Sequence, residues 1–290
     1  MMEDVSKICS ELRNLLEEVV KEEPAEGILL SGGLDTSIIA SLARKHTPNL
    51  KAFTITLKDY DEDLSYAKLV AAHLGLEHKI YFFTEDELLD LGTSSEIVEI
   101  LDGCEEFKDP IALSVLIPTY ILMKFAKKYV GSVYTGVGTD ELFLGYSVMK
   151  DLLDFLTSQG DEFSLNLRNE LFSAVPDFSD LDYQDRIGKT LGLKVSSPFL
   201  APAVKEYALK LPVEYKVRRQ DGKLWEKWIL RQAFENDLPR EIIWRPKVTM
   251  EKGVGSLKFI DTLELRLLDI MKKRGFRALT LLSQLHRMSP

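Results

Sequence analysis

Two stretches of this chain gather the residue types that handle phosphate and a hard cation: Ser31-Gly32-Gly33-Leu34-Asp35-Thr36-Ser37 and Thr135-Gly136-Val137-Gly138-Thr139-Asp140-Glu141. In the first, Gly32 and Gly33 can take backbone angles closed to other residues and let the chain approach an anion closely. The hydroxyls of Ser31, Thr36 and Ser37, with the free amides of a helix start, can donate hydrogen bonds to phosphate oxygens. Asp35 is the odd member, because a carboxylate beside phosphates repels them unless a cation lies between. Its presence argues for Mg²⁺, which prefers carboxylate and phosphate oxygens. Asp140 in the second stretch supplies the other carboxylate such an ion needs; taken alone, Asp140-Glu141 also reads as acids in a helix's first turn. The first loop has neither a Walker A ending nor a Gly-x-Gly-x-x-Gly spacing.

The elements around these loops place them. Apolar positions recur at helical spacing over 3–22, from Val5 to Val20. Ile28-Leu29-Leu30 reads as the end of a buried strand, and 36–45 as the first helix on the sheet. Strands follow at 51–57 and 79–83, with a helix over 64–74 between them that Gly75 stops. Thr84 reads as a cap with acids in the next turn, 111–130 as a long helix containing Pro118, and 131–135 as a strand before the second glycine turn. Alternating strands and helices mean a parallel, doubly wound sheet covered on both faces. In such sheets ligands bind at the carboxyl ends of strands, where the winding reverses. Both glycine turns sit at such ends and can converge. Beyond residue 150 the chain reads as largely helical, around 150–174, 202–211, 223–236 and 258–272. The expected organisation is an α/β core over 1–150 and a helical part over 151–290 that completes the site.

Composition narrows the class. The 290 residues are 45% apolar, enough for a full core, and a net charge of −9 from 37 basic and 46 acidic residues argues against a nucleic-acid surface. Lys272-Lys273-Arg274 is too short to overturn this. No apolar run approaches the roughly 18–20 residues of a membrane span, and Met1-Met2-Glu3-Asp4 does not start a signal peptide. Cys9 and Cys104, with four histidines, support neither a disulfide framework nor a zinc site. A cytoplasmic location is expected.

The first loop resembles the pyrophosphate-binding loop of the ATP pyrophosphatase family, Ser-Gly-Gly-x-Asp-Ser-Ser, whose members split ATP between its α and β phosphates. Thr135 to Tyr146 resembles the Ser-Gly-Glu-Gly-Ser-Asp-Glu-Leu-Phe-Gly-Gly-Tyr signature of asparagine synthetases. The same family's patterns are matched by Asp61-Glu62 with Ala67, Val70, Ala71, Leu74, Gly75 and His78, by Glu106 and Asp109, and by Pro118 and Tyr120. Further matches are Ser197-Pro198-Phe199-Leu200, Lys227-Trp228-Ile229-Leu230-Arg231, Leu238-Pro239, and Arg245-Pro246-Lys247 with Gly253-Val254-Gly255. The likeness spans about residues 10–256. It implies an adenine nucleotide alpha hydrolase-like fold and an AMP-forming, ATP- and Mg²⁺-dependent ligase that adenylates a carboxylic acid, aspartate first, and transfers ammonia to it.

The resemblance also implies roles. The ATP-binding set is Leu29, Ser31, Gly32, Gly33, Leu34, Asp35, Thr36, Ser37, Ile55, Thr135 and Gly136. Ser31, Gly33, Asp35, Thr36 and Ser37 would hold the pyrophosphate, and backbone near Leu29, Ile55 and Gly136 would take the adenosine. Asp35 and Asp140 would hold Mg²⁺, and Lys247 would stabilise charge near the α-phosphate. Arg231 reads equally as a phosphate ligand or as half of a structural ion pair. Two departures stand out. No glutaminase domain precedes the first loop, and residue 2 is Met2 rather than a cysteine, so ammonia is expected free or from a separate glutaminase subunit. The family's Glu in the second signature is Val137, which leaves room for another acid, or for the intramolecular reaction of β-lactam synthetases. The non-enzyme alternative is a nucleotide-binding regulatory protein without turnover.

Overall fold

The computed structural model describes residues 5–92, 94–102, 110–145, 182–259, 261–263 and 265. Helix α1, Val5–Glu22, leads into β1, Gly27–Leu29, then α2, Leu34–His46. Next come β2, Lys51–Leu57, α3, Leu64–Leu74, and β3, Glu77–Phe83. Helices α4, Glu85–Leu91, α5, Ser95–Asp102, and α6, Pro110–Ala126, return the chain to β4, Ser132–Tyr134, and the short α7, Thr139–Phe143. Helix α8, Asp182–Leu191, then precedes a fifth strand, β5, Lys194–Ser196.

All five strands form one parallel sheet in the order β3-β2-β1-β4-β5. The winding reverses at β1, so the crevice beyond the ends of β1 and β4 is the topological switch point. Side chains alternate across the strands as the period of two requires. Ile28, Leu30, Ala52 and Tyr134 pack with α1, α2 and α3, whereas Leu29, Phe53, Ile55 and Val133 pack with α6 and α8. Helix α1 explains itself by spacing: Ile8, Leu12, Leu16 and Val20 form one fully buried stripe, each contributing about 1.5–3 kcal/mol of burial.

Pro118 lies inside α6 and cannot donate to the carbonyl of Ser114 four residues before it. The hydroxyl of Ser256 donates to that carbonyl instead, at 2.7 Å. A side chain from the far end of the chain thus repairs the break that the sequence shows.

Two features depart from the sequence reading. The expected helix over 223–236 is instead a hairpin of β6, Arg218–Gln220, and β7, Lys223–Trp225, followed by a shorter helix. Its two-residue turn is Asp221-Gly222, both at positive φ (52° and 76°), the backbone that an Asp-Gly hairpin turn demands. Strand β5 is absent from the elements the sequence predicts, because three residues are too few to show an alternation. The stretch expected as helix at 202–211 forms α9, Pro202–Lys210. Past α10, Val213–Lys216, and the hairpin come α11, Trp228–Ala233, α12, Arg240–Ile243, and α13, Met250–Gly253. The expected helix at 150–174, Cys104, Glu106, Asp109, Tyr146 and the 272–274 basic run lie outside the described residues, and 258–272 begins in a 3-10 turn, Ser256–Phe259.

Candidate active site

The first glycine turn joins β1 to α2. Gly32 has φ +73°, and a Cβ there would lie 2.3 Å from the backbone nitrogen of Ala67, so only glycine lets α3 pack this closely. Gly33 caps α2 without any side-chain hydrogen bond, which leaves the first amides of a 13-residue helix to face an anion. The loop is braced from within. Ser31 Oγ and Thr36 Oγ1 share a hydrogen bond of 3.1 Å, and Ser31 Oγ accepts from the Gly33 amide at 3.2 Å. Ser37 is fully buried and donates to the Gly33 carbonyl at 2.6 Å, so its hydroxyl stiffens the turn.

The second turn joins β4 to α7 and meets the first. A Cβ on Gly136 would stand 2.9 Å from Asp35 Cβ; the missing side chain is what lets the two turns touch. Thr139 Oγ1 donates to the Gly136 carbonyl at 2.6 Å and sets the start of α7, from which Asp140 projects.

The two carboxylates converge on a lysine that begins α11. Lys227 is 3% exposed and its Nζ lies 2.6 Å from both Asp35 Oδ2 and Asp140 Oδ1. Lys247 pairs with the other oxygen of Asp140. Burial would raise the Asp140 carboxyl, but the two lysines overcome it and hold it at about 2. For Asp35 burial prevails, helped by the charge of Asp140, and its carboxyl is raised despite Lys227. Burial would lower the Lys227 ammonium, yet Asp140 and Asp35 together raise it. Lys227 has φ +54°, a left-handed turn before the helix, and no space is spare around it. A Cβ on Gly145 would fall 1.9 Å from Asp140 Oδ1 and 2.2 Å from Lys227 Cε.

Further C-terminal residues brace this cluster. Arg231 is 2% exposed, donating to the Glu226 carbonyl at 2.8 Å, to Glu226 Oε1 at 3.1 Å and to the Arg245 carbonyl at 3.1 Å. Of the two roles open from sequence, these contacts are those of a structural pair. Arg245 reaches Asp63 Oδ1 at 2.6 Å and the Gly32 carbonyl at 3.3 Å, and lies 3.8 Å over the Tyr66 ring. It therefore straps the segment carrying Lys247 to the first glycine turn. Burial outweighs Arg245 and pushes the Asp63 carboxyl up to about 6.

Around this cluster opens a cavity of about 460 Å³. From the residues singled out by sequence, Leu29, Ser31, Gly33, Leu34, Asp35 and Thr36 line it from the first turn. Ile55 lines it from β2, Thr135, Gly136 and Asp140 from the second turn, and Lys247 from the C-terminal segment. Gly32 and Ser37 lie behind the lining, buried. Val137 is in the wall. Lys227 is the site residue that sequence reasoning misses: in the sequence it stands only as the first residue of the 227–231 segment, with no local signal of the two carboxylates it meets.

Among the described residues no group of three or more His, Cys, Asp or Glu is placed to hold a metal ion. One buried oxygen is nevertheless left over: Asp35 Oδ1 has no hydrogen-bond partner, whereas Asp140 Oδ1 is held by the Lys227 ammonium at 2.6 Å.

Comparison with known proteins adds the following. The family described as asparagine synthase matches residues 11–176 and 175–287. The glutamine-hydrolyzing asparagine synthetase of Gallus gallus is 32% identical over 269 residues, which cover 88% of this chain and 45% of that protein. The Bos taurus counterpart is 30% identical over the same shares. The chain thus spans about half the length of these relatives. Among solved structures, an NH3-dependent NAD synthetase from Campylobacter jejuni is 17% identical with a TM-score of 0.39, covering 99% of this chain and 93% of that one.

Proposed function

This chain belongs to the asparagine synthase family, and from that premise we propose that it is an ATP-dependent carbon–nitrogen ligase that forms AMP. An acid's carboxylate oxygen attacks the α-phosphorus of ATP, the bond to the β-phosphate oxygen breaks, and pyrophosphate leaves. Ammonia then attacks the acyl carbon, AMP departs with its oxygen, and the nitrogen loses a proton to give the amide. Aspartate is the leading acid. Ammonia arrives free or from a separate glutaminase subunit, and the cytoplasm is the proposed location; no described helix is long and apolar enough to cross a membrane.

The observation that carries this reading is the meeting of Asp35 and Asp140, from two different glycine turns, on one buried ammonium beside uncapped helix amides. The helix amides and the Ser31 and Thr36 hydroxyls suit the leaving pyrophosphate. Lys247, fixed on Asp140, suits the charge that builds up when nucleophile and leaving group crowd one phosphorus. Lys227 supports the same end of the cavity from below. The unpaired Asp35 Oδ1 beside the Asp140 carboxylate fits Mg²⁺, which is commonly held by one or two carboxylates with phosphates filling its remaining positions. Asp35 and Asp140 would hold it, and when bound it would neutralise phosphate charge.

Val137 favours a second reading, in which the acid is not aspartate, because it presents an apolar wall to the cavity. One experiment addresses both. A panel of acids is tested for Mg²⁺-dependent pyrophosphate–ATP exchange in the wild type and in Asp35→Asn, Asp140→Asn and Val137→Glu. Exchange with aspartate in the wild type, abolished by either Asn variant, supports the leading reading. A response to aspartate only in Val137→Glu assigns another acid. Near-normal exchange in both Asn variants overturns the two-carboxylate site.

A further inference from the structure

His78 stands on β3, two strands away from the first glycine turn and outside the cavity lining. Two side-chain hydrogen bonds nevertheless connect it to that turn. His78 Nε2 is 2.7 Å from Thr54 Oγ1 on β2, and Thr54 Oγ1 is 2.6 Å from the carbonyl oxygen of Leu30, which follows β1 and precedes Ser31. Thr54 is 2% exposed and, with Leu30 and Ser31, lines the cavity.

The protons in this chain of bonds have one arrangement. A carbonyl only accepts, so the single hydroxyl proton of Thr54 is committed to Leu30. Thr54 Oγ1 is then the acceptor at its other contact, and His78 Nε2 must carry the hydrogen that it donates. Burial pushes the His78 imidazolium down, and Lys68 adds to the effect. The ring is therefore neutral near pH 7, with its one N–H at Nε2. Each donor in such a chain polarises the next, which strengthens the last bond.

That last bond sits where the sheet gives way to the turn. The Leu30 amide donates to the Phe53 carbonyl at 2.8 Å, whereas the Leu30 carbonyl is taken by the Thr54 side chain. On the other side of the same peptide unit, the Ser31 amide donates to Thr36 Oγ1 at 3.3 Å. The plane of the Leu30–Ser31 peptide is thus fixed at both ends. Ser31 Oγ shares a hydrogen bond with Thr36 Oγ1 and accepts from the Gly33 amide, so the tilt of that plane sets where the hydroxyls and amides of the turn point. Tied to β2, the Leu30 carbonyl is not free to turn its negative end toward a bound anion.

We propose that His78 is a positioning residue for the phosphate turn: by donating through Thr54 to the Leu30 carbonyl, it sets the plane of the Leu30–Ser31 peptide and with it the affinity of the turn for the phosphates of ATP. This rests on the reading that the first glycine turn holds those phosphates, and it adds a residue that acts on them from two strands away.

A spectroscopic and a binding measurement test it together. Heteronuclear NMR of the whole protein, labelled in its histidine rings, reads the tautomer, and the expected His78 signal is that of a neutral ring protonated at Nε2. Affinity for an ATP analogue whose α and β phosphorus atoms are joined by methylene is measured calorimetrically with Mg²⁺ in wild type, His78→Phe, His78→Gln, Thr54→Val and His78→Phe/Thr54→Val. Urea unfolding of each protein confirms that it is folded. His78→Phe should weaken analogue binding about 3–10-fold, the effect of one hydrogen bond, and His78→Gln, whose side-chain amide still donates, should restore most of it. In the Thr54→Val background His78→Phe should cost no further affinity, because its route to the turn is already cut. A neutral His78 ring protonated at Nδ1 overturns the proposal. So does unchanged analogue affinity in His78→Phe, or a loss of equal size with and without Thr54, which marks a packing effect that reaches the site by another path. A wild type that does not bind the analogue overturns the phosphate reading, and the proposal with it. The ligase reading fails separately, when analogue affinity follows His78 and Thr54 as expected yet no acid supports pyrophosphate–ATP exchange.

Discussion

Replacing Lys227 by Met removes one charge from the centre of the site while keeping the length of the side chain. Its ammonium stands 2.6 Å from a carboxylate on each side. With an effective dielectric near 20, each contact carries about 6 kcal/mol of attraction, most of it offset by the cost of desolvating the charges. Removing one partner of a buried ionic group typically costs about 3–5 kcal/mol, because the remaining charges are left uncompensated. The expected outcome is a loss of that size, measured by urea unfolding without nucleotide. The two carboxylates then repel each other with only Lys247 and Arg231 left to offset them among the described residues, so millimolar Mg²⁺ restores part of the loss in Lys227→Met and does little for the wild type. The double variant Asp35→Asn/Lys227→Met should be more stable than Lys227→Met alone, giving a coupling of more than about 1 kcal/mol. A Lys227→Met protein within about 1 kcal/mol of wild type, indifferent to Mg²⁺, refutes the picture of one ammonium joining Asp35 and Asp140.

Three further outcomes are expected. On the proposed role of Lys247 in the transition state, Lys247→Met should lower turnover by about 10²–10³-fold with little change in ATP affinity; unchanged turnover in steady-state assays would return it to an ordinary cavity lysine. Asp63 has a carboxyl pushed up to about 6 when folded, above an unfolded value near 3.9. The native state therefore keeps its proton longer and this group's contribution to stability falls as pH rises from about 4 to 6. Urea unfolding across that window should show Asp63→Asn gaining on wild type by about 2–3 kcal/mol, and a constant difference would contradict the burial argument. Gly145→Ala should cripple AMP formation, since its new methyl group falls on Asp140 and Lys227; a fully active alanine variant would show that this corner is looser than drawn.

The two glycine turns were legible in the sequence because their chemistry is local. A Gly beside Ser, Asp and Thr after an apolar run specifies a strand end, a tight turn and a helix start within ten residues. The parallel sheet followed from the alternation of β-branched runs with helical spacing, and Asp35 and Asp140 from the need to offset a carboxylate beside phosphate. The hairpin was also written locally, in Asp221-Gly222, but a helical spacing of apolar residues over 223–236 competed with it. Its two positive φ angles decided the outcome.

What no local pattern carries is which distant groups meet. A lysine in sequence is most often a solvated one, and nothing in 227–231 marks the first residue as the ammonium that Asp35 and Asp140 share. That identity arises because Lys227 takes a left-handed turn at the start of α11, and its amide donates to the carbonyl of Phe143 at 3.3 Å. The turn delivers the side chain beneath two loops that precede it by scores of residues. The same holds for Ser256 repairing the helix at Pro118, for Arg245 strapping Lys247 to Gly32, and for β5 closing the sheet from three residues. Backbone preferences act over a few bonds and can be read in order along the chain. Charge pairing and burial act through space, so they take effect only once the sheet has brought the strand ends together.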